Sequence, residues 1–273
     1  MIDLTNGLTF DQSPQHYITF GDFDSRRWGL HLHKREAPTP DEKEIVKSIP
    51  YAQGVLDLSQ LRGDRVYENR EVTYTLYRFG VAQTSANGYQ TTIENLIMRE
   101  YGQVLQDSYD PDCHYIGKCR SITTEDDYGC NRLVIEIIFD LYPFKISNYP
   151  EGHGLWDPIN FEFDCFQNTT YQLGQQGDSY AATREITLYN TGQSALTPAI
   201  DFTMFTDPSE SETGGWTSTA RLRILLRGVT YSDDQFRVAN EMPFEYLSLA
   251  KGENKMTLTG LGAVSFVWYK ELI

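Results

Sequence analysis

Apolar and polar positions alternate with a two-residue period through most of the chain, the pattern of strands with one buried face. Ile18 to Phe20 reads as extended and Gly21 to Ser25 as a turn. Trp28, Leu30 and Leu32 then alternate with Gly29, His31 and His33, giving strand, turn, strand. Val55, Leu56 and Leu58 make a short apolar strand, and Glu71 to Phe79 alternates between two faces. Near Asn87 and Gly88 the period changes. Thr91 and Glu94 have capping-box spacing, predicting a helix whose apolar face is Ile93, Leu96, Ile97 and Tyr101 and which Gly102 stops. Tyr115 to Ile122 and Leu133 to Leu141 read as paired strands joined by an acidic turn, and Pro143 ends the run.

Turn-forming residues at 145–152 mark a domain boundary, so the chain is expected to form residues 1–147 and 148–273. The second part reads as short strands at Phe161–Phe166, Glu185–Tyr189, Ala199–Phe205, Arg221–Leu226, Phe244–Leu249, Lys255–Leu258 and Ala263–Tyr269, with long polar loops at 172–182 and 206–219. Such spacing predicts a β-sandwich. The expected class is mainly β: an N-terminal β-sandwich domain with one α-helix, followed by a second β-sandwich. Between its early strands, residues 37–50 collect three prolines and a run of charges, which suits an extended arm able to reach a neighbour.

Composition sharpens this picture in two ways. A length of 273 residues accommodates two domains, and 18 Tyr with 14 Phe favour strands. The formal charge is −15, with 15 Lys/Arg against 22 Asp/Glu in residues 1–145 and 8 against 16 in the rest. Neither part has a basic face, which argues against nucleic acid or an anionic membrane as a principal partner. An acidic wall that DNA slides past is compatible with the same balance. The opening residues lack a basic segment followed by an apolar one, and no stretch of about 18 apolar residues occurs. The expectation is a soluble protein made in a cytosol, with its four cysteines as free thiols.

Candidate chemistry is sparse. Cys113, His114, Cys119 and Cys130 are zinc-ligand types, but no close cysteine pair is present. Glu125, Asp126 and Asp127 lack the calcium-loop pattern and suit a solvated turn. Asp22, Asp24, Ser25 and His31 or His33 invite a catalytic-triad reading, yet neighbouring strand positions point to opposite faces. No nucleophile elbow, phosphate-binding glycine loop or zinc-protease motif occurs, so neither catalysis nor a metal or cofactor is predicted. Trp216, set among glycines and threonines with Glu210 and Glu212 nearby, is either an exposed docking anchor or a ring folded beneath its own loop.

Five motifs carry a family resemblance: FGDFDSRRWGL at 20–30, IPYAQGVLDLS at 49–59, YENREVTYTL at 67–76, IENLIMREYG at 93–102 and YDPDCHYIGKC at 109–119. In this order they resemble the N-terminal domain of the distal tail proteins of siphophages infecting Gram-positive bacteria. REITLYNTGQSALTPAIDF at 184–202 and KGENKMTLTGLGAVSFVWYKEL at 251–272 are similar to the opening and closing strands of that family's galectin-like sandwich.

The resemblance implies a structural, non-enzymatic hub at the distal end of the virion tail, assembled in the host cytoplasm. It would be a hexameric ring joining the tail-tube protein to the tip protein and to baseplate or receptor-binding proteins, with DNA passing unbound through its channel. The arm carrying Pro38, Pro40, Ile45, Val46 and Pro50 would then serve the ring interface, and the loop with Glu210, Glu212 and Trp216 would dock a partner. The alternative is a carbohydrate-binding module for host cell-wall glycans. Against it, the second part has only His153 of the polar set that galectins place on their sugar-binding strands.

Overall fold

A computed structural model describes residues 16–48, 50–51, 53–59, 65–80, 83–99, 101–127, 132–152, 165–176, 178, 180–205, 221–233 and 238–273. It divides into two units, residues 1–146 with Ile273 and residues 147–272.

In the N-terminal unit the strands are β1 (Ile18–Phe20), β2 (Phe23–Asp24), β3 (His31–Glu36), β4 (Val46–Ser48), β5 (Val55–Asp57), β6 (Arg70–Phe79), β7 (Gln103–Asp107), β8 (Cys113–Asp127) and β9 (Arg132–Leu141), with β10 (Lys145–Ser147) following. Seven of them lie side by side in the antiparallel order β2-β1-β7-β8-β9-β6-β3. Alternation dictates their inner face. Val72, Tyr74 and Leu76 of β6 and Leu133, Ile135, Ile137, Phe139 and Leu141 of β9 are buried in one core with Ile18, Phe20, Leu105 and Tyr115. Helix α1 (Gln83–Met98) closes that core with Ile93 and Ile97.

The helix starts well before the predicted capping box. Thr91 lies inside it, and the Thr92 hydroxyl donates to the Gly88 carbonyl at 2.8 Å. One internal glycine costs a helix only about 1 kcal/mol, which burial of its apolar face outweighs. Tyr101 lies beyond the helix and is 79 % exposed, so it is not part of the apolar face.

The apolar run at Val55–Leu58 also departs from expectation. Strand β5 pairs with β4 as a separate ribbon, and Leu56 is 47 % exposed.

The second unit contains β11 (Thr170–Leu173), β12 (Ala182–Asn190), β13 (Ala199–Met204), β14 (Arg223–Leu226), β15 (Val229–Ser232), β16 (Met242–Pro243), β17 (Gly252–Gly260) and β18 (Gly262–Val267). They form a three-stranded sheet, β11-β18-β13, and a five-stranded sheet, β12-β17-β14-β15-β16. Leu173, Val264 and Phe266 of the first share a core with Ile186, Leu188, Ile224, Leu226, Met256 and Leu258 of the second. The unit is a β-sandwich of two sheets over one apolar layer.

Two strand expectations differ here. Of Phe161–Phe166, positions 161–164 lie outside the described residues, and the strand that pairs with β18 is Thr170–Leu173. Phe244–Leu249 is a single 3-10 turn, Phe244–Tyr246, entered from Pro243, followed by an isolated bridge between Leu249 and Leu196. Leu247 and Leu249 are fully buried, so this run fills the core without joining a ladder.

Candidate interface surfaces

The predicted arm is tethered to the sheet at its start by Arg70. This side chain is 5 % exposed, and its Nε donates to the Pro38 carbonyl at 3.2 Å, while Nη2 donates to the same oxygen. A buried arginine needs such partners because stranding its charge is costly. Its guanidinium lies over the Tyr115 ring, 5.4 Å from the centroid. Burial, with the nearby charge of Arg35 as a lesser cause, holds its pKa below the usual arginine value.

Arg35 donates to the Tyr115 hydroxyl at 3.0 Å and sets its Nε 3.0 Å from Oδ2 of Asp107. Burial pulls the Arg35 pKa down, but the Asp107 charge and Tyr115 more than offset it, leaving the value raised. The Tyr74 hydroxyl donates to the same carboxylate, and burial, then Asp107, pushes its pKa well up. Oδ1 of Asp107 accepts from the Tyr109 and Asp110 amides at 3.0 and 3.1 Å. One buried carboxylate thus serves a guanidinium, a phenol and a turn.

Beyond Pro38 the arm is stitched down by backbone bonds. Pro40 is buried. Glu68 N–H donates to the Asp41 carbonyl at 2.9 Å, and Lys43 N–H to the Val66 carbonyl at 2.8 Å. Ser59, itself buried, accepts from the Ile45 amide at 2.8 Å. The chain then leaves the sheet as the β4–β5 ribbon, whose strands pair only with each other among the described residues.

A two-stranded ribbon is marginal in water, and this one carries apolar side chains outward. Ile45 is 47 %, Val46 52 %, Leu56 47 %, Val66 45 % and Tyr51 fully exposed. Pro38 and Pro50 are exposed too. The arm residues Ile45 and Val46 are therefore joined by Leu56, Val66 and Tyr51, which the sequence reading did not assign to the surface. The apolar neighbours of Leu56 made it look like a core position. Glu210, Glu212 and Trp216 lie outside the described residues.

By contrast, edge strand β3 is blunted. A bulge interrupts its register between Leu32 and Lys34, and Lys34 and Glu36 form an exposed ion pair on it. The would-be triad is turn chemistry: Ser25 Oγ accepts from the Ile18 amide at 3.1 Å, and Asp24 binds Arg26. Cys113 and Cys119 are buried free thiols, and burial pushes Cys119 up to about 12. Among the described residues no group of three His, Cys, Asp or Glu side chains is placed to hold a metal ion, and Cys130 lies outside them. No described helix is long and apolar enough to cross a membrane.

Two grooves are formed by described residues. One, of about 200 Å³, lies in the N-terminal unit between Tyr101 and Tyr142. The other, of about 580 Å³, lies on the five-stranded sheet and is lined by Glu185, Thr187, Leu225, Arg227, Lys255 and Thr257 among others.

No family model matches the chain, and no curated protein matches it. Solved structures do. The crystal structure of the SPP1 Dit protein (gp 19.1), described as a paradigm of the hub adsorption apparatus in phages infecting Gram-positive bacteria, aligns over 94 % of this chain and 99 % of its own, with a TM-score of 0.61 and 11 % identity. The fold of this chain is therefore a two-unit, mainly β fold shared with the SPP1 Dit protein over nearly its whole length. The phage P2 baseplate in its activated conformation with calcium aligns more loosely, with a TM-score of 0.36 and 10 % identity over 90 % of this chain and 97 % of that one.

Proposed function

We propose that this chain is a structural hub of a bacteriophage tail tip, built to assemble with copies of itself and with other tail proteins. The observation that carries the reading is the end-to-end correspondence with the SPP1 Dit protein, which spans both units. The motif set in residues 20–119 supports it independently of the fold. In this reading the N-terminal units form a closed ring of six through a head-to-tail contact, and the β4–β5 ribbon lies in that contact. The ring joins the tail-tube protein on one side to tip, baseplate or receptor-binding proteins on the other. Its net charge of −15 suits a channel that DNA traverses without being held. The reading assigns the protein no catalytic step, no cofactor and no membrane, and places it at the distal end of the virion tail after assembly in the host cytoplasm.

The test is mass and shape. Light scattering and negative-stain images, taken on the chain alone and with its tube and tip partners, are expected to give six-fold rings. A chain that stays monomeric with both partners present overturns the reading.

A further inference from the structure

We propose that the Tyr101–Tyr142 groove of the N-terminal unit is a binding subsite for a neutral saccharide ring. Tyr101 and Tyr142, 79 % and 40 % exposed, flank it, and Ile116, Gly117 and Gly102 contribute to its lining. Asn69, Asp140 and Lys118 supply its polar groups. These three are already ordered by one another: Asn69 Nδ2 donates to Asp140 Oδ1 at 3.0 Å, and Lys118 Nζ lies 3.6 Å from Asp140 Oδ2. The Lys118 ammonium also sits 5.9 Å from the centre of the Tyr101 ring.

Charge decides the ligand class. Asp140 and Lys118 cancel, so the groove is neutral as it stands. A cationic guest would have to displace Lys118 from both the carboxylate and the ring, and an anionic guest would meet Asp140. A neutral polyol meets neither penalty. Its hydroxyls both donate and accept, matching the row of amide, carboxylate and ammonium. Its C–H face suits an exposed tyrosine ring, which offers apolar area with a polar tip.

The volume of about 200 Å³ fits one ring rather than a chain of sugars. The larger groove on the five-stranded sheet is a poorer candidate despite its size. No aromatic ring lines it, and it sets two cations, Arg227 and Lys255, against one carboxylate, Glu185. The proposal does not rest on the ring assembly, and neither result of the assembly test bears on it.

Saturation-transfer NMR on the full chain, with glucose, galactose and N-acetylglucosamine as separate probes at millimolar concentration, tests the proposal. At least one probe is expected to bind. Tyr101→Ala, at an exposed position, should weaken it by roughly tenfold with an unchanged thermal midpoint, whereas Tyr101→Phe keeps the affinity. Asp140→Asn should also weaken binding, and should make choline no better a ligand. Absence of binding by all three sugars overturns the proposal, as does sugar binding that Tyr101→Ala leaves unchanged. Preferential binding of choline or of inorganic phosphate overturns the ligand class.

Discussion

Changing Asp107 to asparagine would leave Arg35, whose Nε lies 3.0 Å from Asp107 Oδ2, without that carboxylate's charge. Breaking a buried charge pair from one side costs about 3–5 kcal/mol, and Asp107 is 2 % exposed. Asp107→Asn is expected to lower unfolding stability by that order in urea titrations. Arg70→Met should cost less, because Arg70 Nη1 is buried without a hydrogen-bond partner among the described residues and its loss removes a poorly satisfied charge. It should instead release the arm from Pro38, making residues 38–58 the first site of limited proteolysis. Protons give a second handle. Tyr74 and Cys119 both have raised pKa values, Cys119 moving from 9.0 to about 12. The folded chain keeps these protons after the unfolded chain has released them. Their contribution is whole below about pH 9 and is lost as the pH rises toward 12. The urea midpoint should fall across that window, and Cys119→Ala should flatten part of the slope.

Among the elements, two glycines that look alike in sequence have opposite roles. A Cβ at Gly88, inside α1, would meet nothing within 4 Å. Gly88→Ala should stabilise the helix by about 0.5–1 kcal/mol. At Gly117 on β8 the same atom would fall 2.3 Å from the Asp140 carbonyl oxygen, so Gly117→Ala must part β8 from β9 and should cost about 1–3 kcal/mol. Thermal unfolding of both variants checks the pair. The same contrast explains what was legible. Strands β6 and β9 could be read because each is ten residues long and its buried positions fall on every second residue. Strands β7, β11 and β15 are only four or five residues long, too short for periodicity to stand out from a loop. The 3-10 turn at Phe244–Tyr246 has the composition of a strand, and only its tertiary surroundings set it apart. The start of α1 was hidden because Asn87-Gly88 is a turn signal in isolation and a tolerated cost once Ile93 and Ile97 are buried.

For the molecule as a whole, the described residues supply each unit with its own apolar core, and the apolar ribbon belongs to neither. That arrangement suits a chain whose remaining burial is completed by association. Val46→Asp, on a strand that contributes nothing to either core, should leave the monomer folded by circular dichroism while weakening self-association at least tenfold by light scattering. Sequence placed Ile45 and Val46 on the arm because prolines and charges surround them. It could not place Leu56, Val66 and Tyr51 beside them, since an apolar run looks the same whether it faces a core or water. Nor could it show that Arg70, within a clean strand alternation, reaches across to hold Pro38.

The ribbon has a practical consequence. Its ladder joins only three residue pairs, so in the free chain its amides should exchange with deuterium almost as quickly as those of an open loop, while β6 and β9 exchange slowly. Any partner that covers Ile45, Val46 and Leu56 would slow that exchange without altering the rest of the map. The β4–β5 segment is thus a built-in gauge of occupancy, reporting by mass spectrometry when a partner has covered it.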